Sequence, residues 1–261
     1  MTALATPPAP DEPLIRFEGL HKAFGPKVVF DDLSLEVRKG ETLTVIGGSG
    51  VGKSVLLKCI IGLQDPDGGH IFFDGHDLSG YGEKEFLPIR RRVAMVFQAS
   101  ALFDSIPVGE NIEYPLREHF PEMSEEERSR RVARVLALVN LPGIEGMRPS
   151  DLSGGMRRRV GLARAIATEP EVILWDEPTT GLDPISTRTI DELIKSMRAK
   201  LHCTSIVVTH DMQSAFSVSD RIAMLANRRI VQVGTVPEMR ASTLKEVRAF
   251  LDARKGEARM D

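Results

Sequence analysis

The sequence predicts an α/β fold, on three observations. An apolar run at residues 43–46 feeds a glycine-rich turn and then a helical run that Gly62 closes. Residues 93–97 and 172–175 form two more continuous apolar runs, the pattern of strands buried on both faces of a parallel sheet. Both of these end in polar residues, Gln98 in one case and Asp176-Glu177 in the other. That is the edge at which a parallel sheet meets its ligand.

Composition sets the outer bounds. The 261 residues, 42% apolar and 27% charged, suffice for one large domain or two small ones with ample core. A net charge of −3 and a pI near 6.1 give no case for nucleic acid or an anionic membrane surface. Cys59 and Cys203 sit in apolar runs and read as core residues, in keeping with a reducing cytosol. No stretch approaches the roughly 18 unbroken apolar residues of a membrane span. Residues 1–13 are rich in Ala and Pro and lack the basic start and apolar core of a signal peptide. They read as a disordered or extended arm.

In chain order, residues 14–17 and 28–30 are short apolar runs bounded by Gly and Pro, and 33–37 alternate as a half-buried strand does. Together they predict a small antiparallel sheet ahead of the parallel core. Phe24 falls within it. An exposed ring there stacks on an adenine; a buried one is plain core.

The run at 43–46 then enters Gly47-Gly-Ser-Gly-Val-Gly52-Lys53-Ser54, which fits G-x-x-x-x-G-K-[ST]. The glycines let successive backbone N–H groups turn inward around phosphate oxygens. The following helix adds partial positive charge at its N-terminus. Lys53 is placed to reach the β- and γ-phosphates, and the Ser54 hydroxyl to ligate Mg²⁺.

Residues 65–75 read as turn, strand and turn, and 83–92 as a basic helix. Gln98 either touches a metal or attacking water, or is an ordinary loop residue. From about 99 to 165 the character changes. Ser124 and Glu127 form a capping box, followed by Val132, Val135, Leu136 and Val139 on one helical face. This predicts a helical subdomain inserted in the α/β core. Ser153 caps a further helix whose glycine-rich start is a possible anion site. Arg157-Arg158-Arg159 behind it reads as a solvated face.

The strand at 172–175 delivers Asp176 and Glu177. One carboxylate orders Mg²⁺ and the next polarises a water for in-line attack. Asp183-Pro184 opens a helix through Ile190, Leu193, Ile194 and Met197, and 204–209 is a strand with His210 at its end. A neutral imidazole there can hydrogen-bond a γ-phosphate or the attacking water. Residues 222–225 and 229–233 read as closing strands, and the chain from Pro237 as polar helix.

In this order the pieces resemble the ATP-binding subunits of ABC transporters, over about residues 14–251. Walker A is Gly47 to Ser54, the Q-loop glutamine Gln98, and the signature Leu152-Ser153-Gly154-Gly155. Walker B is 172–176, followed by Glu177; the D-loop includes Asp183, and the switch histidine is His210. Phe24 matches the aromatic that stacks on adenine. The resemblance implies an α/β P-loop NTPase core with an N-terminal antiparallel β subdomain and an inserted α-helical subdomain. It implies arm, domain and charged tail at 1–13, 14–251 and 252–261.

It further implies ATP bound by Phe24, Gly47, Gly48, Ser49, Gly50, Val51, Gly52, Lys53, Ser54 and Val55. In a head-to-tail dimer the signature residues Ser153, Gly154 and Gly155 would come from the second copy, and Asp183 of the D-loop would also bind the nucleotide. Mg²⁺ would be held by Ser54, Gln98 and Asp176. Glu177, His210, Lys53 and Gln98 would carry the chemistry, with Glu177 as general base.

Gln98-Ala-Ser-Ala-Leu-Phe103, Asn111-Ile-Glu-Tyr-Pro-Leu-Arg-Glu-His119, Met156 after the signature and Val247-Arg-Ala-Phe-Leu251 resemble one branch, the ATPases of Mla/MCE phospholipid transport. Ala99-Ser100 and Gly48 depart from that branch, where Ser-Gly and Pro are usual. The branch implies a peripheral location on the cytoplasmic face of the inner membrane. Its partners would be an MlaE-like permease, an MCE substrate-binding protein and a small STAS-type regulatory subunit, without nucleic acid. Amino-acid import is the alternative cargo. An ABC ATPase acting on DNA or ribosomes would want a coiled-coil insertion or tandem domains, and the sequence carries neither.

Overall fold

A computed structural model describes residues 13–257. The arm expected at 1–13 lies outside these residues apart from Pro13.

Two sheets carry the fold. The first is antiparallel, in the order β2-β1-β4-β5, from β1 (Ile15–Phe24), β2 (Lys27–Val37), β4 (Gly68–Phe73) and β5 (His76–Asp77). Sequence reading broke the second strand at Asp31-Asp32, where two exposed carboxylates interrupt the apolar pattern. The chain instead runs on as one strand, with Asp32 at φ 60 and register shifts against β1 nearby. Such a bulge absorbs the break without ending the pairing.

The second sheet has the order β10-β9-β3-β8-β7-β6. Its parallel strands are β3 (Thr42–Ile46), β6 (Val93–Val96), β7 (Val172–Asp176), β8 (Thr204–Thr209) and β9 (Arg221–Ala226), with β10 (Arg229–Thr235) antiparallel to β9. Every residue of β3, β7 and β8 is buried. Alternate side chains serve two cores. Val172 and Leu174 join the antiparallel sheet and α1 (Lys53–Ile60), while Ile173 and Trp175 join the helical layer.

That helical layer contains α3 (Val108–His119), α4 (Glu125–Leu138) and α5 (Gly154–Ile166), between β6 and β7 in sequence. The capping box at Ser124 and Glu127 is formed. Asn111 is fully buried and satisfied: its amide takes Phe103 N–H at 2.8 Å and donates to the carbonyls of Phe103 and Ile106 at 3.0 Å. It folds the loop before α3 onto that helix.

The remaining helices are α2 (Glu83–Arg92), α6 (Pro184–Leu201), α7 (Met212–Val218), α8 (Val236–Ala241) and α9 (Lys245–Glu257). The last continues past Leu251, where the charged tail was expected to begin. Cys59 and Cys203 are buried, and burial pushes their thiols up to about 12 and about 11. Among the described residues no helix is long and apolar enough to cross a membrane.

Candidate nucleotide site

The site forms where β3, β7 and β8 end on one edge. Gly52 precedes α1 at φ 112, and a Cβ there would run into Val29 and Phe30. Only glycine meets both conditions. Lys53 follows as the first residue of α1. Its Nζ donates to the carbonyls of Gly47 and Gly48 at 3.0 and 3.1 Å, which folds the loop around the ammonium. Val51 packs partly buried against the core beside it.

Across the cleft, Ser54 Oγ donates to Asp176 Oδ1 at 2.6 Å. Burial pushes the Asp176 carboxyl above its ordinary range; the Ser54 bond opposes this. The two oxygens are hard donors of the kind Mg²⁺ takes, beside a loop fit for phosphate. These residues therefore suit a Mg–nucleotide.

Glu177 adopts φ 50, a left-handed conformation that is uncommon outside glycine. Its N–H donates to the Val208 carbonyl at 2.9 Å, so the turn is tied to β8. Its carboxylate meets three groups. Thr180 Oγ1 donates to Oε2 at 3.0 Å, His210 Nδ1 lies 2.8 Å from the same oxygen, and Lys53 Nζ is 3.5 Å from Oε1. A carboxylate held at this edge of the phosphate loop is in the position of a proton acceptor.

A cleft of about 360 Å³ joins these groups. Ser49, Gly50, Gly52, Lys53, Ser54, Val55, Gln98, Glu177 and His210 line it, together with Phe24. Of the two options for Phe24, the ring is 44% exposed and not core. Lys22 Nζ lies 5.2 Å from the ring centroid and also binds Asp67 at 2.8 Å.

Ser153, Gly154, Gly155 and Asp183 do not line this cleft. Ser153 caps α5 by accepting Met156 N–H at 3.2 Å, and Asp183 caps α6 by accepting Ile185 and Ser186 N–H at 2.9 and 3.0 Å. The two helix starts adjoin: a Cβ on Gly155 would lie 2.9 Å from Ser186 Oγ.

Sequence reading missed Lys27 and Val29, which also line the cleft, and Thr180, which touches Glu177. A threonine two residues after Pro178 carries no signal of its own. The arginine triple was misread. It is not a solvated face: Arg157 donates to the Leu152 carbonyl at 2.6 Å, Arg159 to the Asn140 carbonyl at 3.1 Å, and Arg158 is buried. Loop carbonyls left without strand or helix partners draw these guanidinium groups inward.

A phosphate loop on a parallel sheet edge, faced by two carboxylates, defines a P-loop nucleoside triphosphatase. Comparison with known proteins narrows the class. The family profile "ABC transporter" matches residues 30–180, and the chain belongs to that family. It is an ATP hydrolase of the ABC type, from a family of cassettes that bind ATP.

Among its relatives is the intermembrane phospholipid transport system ATP-binding protein MlaF of Haemophilus influenzae, 40% identical over 94% of this chain and 91% of that protein. The methionine import ATP-binding protein MetN of Rhizobium johnstonii is 38% identical over 93% of this chain and 67% of that protein. Among solved structures, the ATP-binding cassette MJ0796, dimeric and bound to ADP and Pi, superposes with a TM-score of 0.78. It is 30% identical and covers 85% of this chain and 98% of that one.

Proposed function

We propose that the chain is the ATPase subunit of a transporter that moves phospholipid between bacterial membranes, acting as a head-to-tail dimer on the cytoplasmic side of a permease. The observation that carries the ATPase chemistry is the Glu177 carboxylate, held by Thr180, His210 and Lys53 at the edge of the phosphate loop. In this reading Lys53 and the loop N–H groups bind the phosphates, Phe24 stacks on adenine, and Ser54, Asp176 and Gln98 hold Mg²⁺. The metal would withdraw charge from the phosphate oxygens. Glu177 accepts the proton of the attacking water, and His210 reports on the γ-phosphate. The signature residues Ser153, Gly154 and Gly155, with Asp183, face the nucleotide of the second copy.

An apolar hollow supports the permease contact. Phe103 and Tyr114 are both exposed, with ring centroids 5.1 Å apart, and they border a hollow of about 360 Å³ with Met95, Phe97 and Pro115. A helix of an MlaE-like permease would seat there. An MCE substrate-binding protein and a STAS-type subunit would complete the assembly.

Phospholipid is favoured over other cargo by two supports: the identity to the MlaF relative over nearly both full lengths, and the resemblance of the segments around Phe103 and Asn111. Methionine is the second reading, since a methionine-import relative is nearly as similar. Purifying the native complex from membranes and assaying ATP hydrolysis separates them. Stimulation by phospholipid, with an MlaE-like permease in the complex, is expected. Stimulation by methionine and not by lipid would overturn the cargo.

A further inference from the structure

Of the arginines of α5, Arg158 alone is buried, at 8% exposed. Like Arg157, Arg159 and Arg164, it donates to backbone carbonyls, and among the described residues none of the four makes an ion pair. The Arg158 guanidinium donates to three carbonyls. Nη1 reaches those of Gln98 and, at 3.4 Å, Phe97; Nη2 reaches that of Thr180 at 3.1 Å. Burial without an anion lowers the guanidinium's proton affinity. A cation in this setting costs free energy that hydrogen bonds must offset.

What it holds matters more than what it costs. Gln98 and Thr180 belong to different loops, one after β6 and one after β7. Both lead into the cleft: Gln98 lines it, and Thr180 Oγ1 donates to Glu177 at 3.0 Å. The same helix flank secures the rest of the loop. Gly161 lets Ser100 approach so closely that a Cβ would lie 3.0 Å from its carbonyl oxygen. Arg164 donates to the carbonyl of Ala101 at 2.7 Å, where Ala101 sits at φ 50. Residues 158, 161 and 164 recur every three positions along α5, so one flank of the signature helix carries the loop.

We propose that Arg158 is a positioning residue for ATP hydrolysis, holding Gln98, and through Thr180 also Glu177, in register with the signature helix. The planar fork of a guanidinium can satisfy carbonyls on two loops at once; an ammonium is a compact point donor and cannot span them. This inference rests on the assignment of Gln98 and Glu177 to the chemistry.

The test uses the full chain in its native complex. Arg158→Gln should lower kcat on the order of 10²-fold, the effect of a displacement of about 1 Å at reacting groups, with KM for ATP within about twofold. Arg158→Lys should recover only part of the loss. The decisive measurement is a double-mutant cycle. Adding Arg158→Gln to Gln98→Ala should slow hydrolysis by much less than it slows the wild type. Independent, multiplying effects both in this cycle and in the matching cycle with Thr180→Val, which removes the Thr180–Glu177 bond, would make Arg158 merely structural and overturn the proposal. So would an unchanged kcat, or a loss confined to KM. If Arg158→Gln fails to fold, Arg158→Lys decides by the same split. A Gln98→Ala variant with wild-type turnover would instead remove Gln98 from the chemistry, and this inference with it.

Discussion

His210 Nδ1 lies 2.8 Å from Glu177 Oε2, bringing together residues 33 apart in sequence. The His210 N–H also donates to that oxygen, at 3.3 Å. Strands β7 and β8 are neighbours, so the residues leaving their ends meet. Glu177 is thus fixed on one side by an imidazole and on the other by Lys53.

If Glu177 is the base, Glu177→Gln keeps the shape of the group and removes the proton acceptor. Phosphate release should fall about 10²- to 10⁴-fold, with ATP binding retained. The variant should accumulate as an ATP-bound dimer, visible by light scattering. Wild-type turnover in this variant would move the base elsewhere, with His210 the next candidate.

Asp176 links the site to stability. Its carboxyl is pushed above its ordinary value of 3.8, mainly by burial. Between that value and the raised one, the folded chain binds more protons than the unfolded chain. Stability therefore falls as pH rises through this interval, and above it the penalty is full. Asp176→Asn removes the charge and leaves an oxygen for Ser54. At pH 7 without nucleotide it should raise the stability, seen as a higher Tm; each kcal/mol gained corresponds to about 2–4 °C. The gain should shrink as pH is lowered, while Mg–ATP turnover is lost. Melting curves across pH check this; an unchanged or lower Tm at pH 7 contradicts it.

Shared sites predict rescue. Lys53→Ala damages the phosphate loop, and Gly154→Asp puts a carboxylate in the signature. Position 154 has nothing within 4 Å of a new Cβ, so the second variant should keep its fold. In a mixed dimer with shared sites one site collects both defects and the other is intact. Co-expressed with different tags, the heterodimer should hydrolyse ATP faster than either parent homodimer. A purified, ATP-binding heterodimer no more active than its parents counts against sharing. A disulfide between Ser49→Cys and Ser153→Cys, formed only between chains and only with ATP, tests the geometry directly.

Much of the fold was legible because its signals are local. The buried strands announce themselves as apolar runs, and Ser124, Ser153 and Asp183 cap helices by bonds to residues two or three positions ahead. The division of β2 was misjudged because a bulge carries an exposed Asp32 without ending the strand. Arg157-Arg158-Arg159 was misjudged for a different reason. A guanidinium on a helix looks the same in sequence whether it faces water or a loop carbonyl.

By itself, then, the sequence determined the chemistry of each segment: a loop fit for phosphate, a strand ending in two carboxylates, a glycine-rich helix start, an exposed-or-core choice at Phe24. Glycine spacing, side-chain period and caps act within a few residues, so they are readable in one dimension. Only the tertiary structure decided which segments share a site. Ser54 meets Asp176 across 122 residues, and Arg158 reaches Gln98 across 60. Strand order set those meetings, by laying β8 between β3 and β7, while Ser153 capped a helix away from its own phosphate loop. Partner choice at that range depends on which surfaces bury one another, a property of the whole chain.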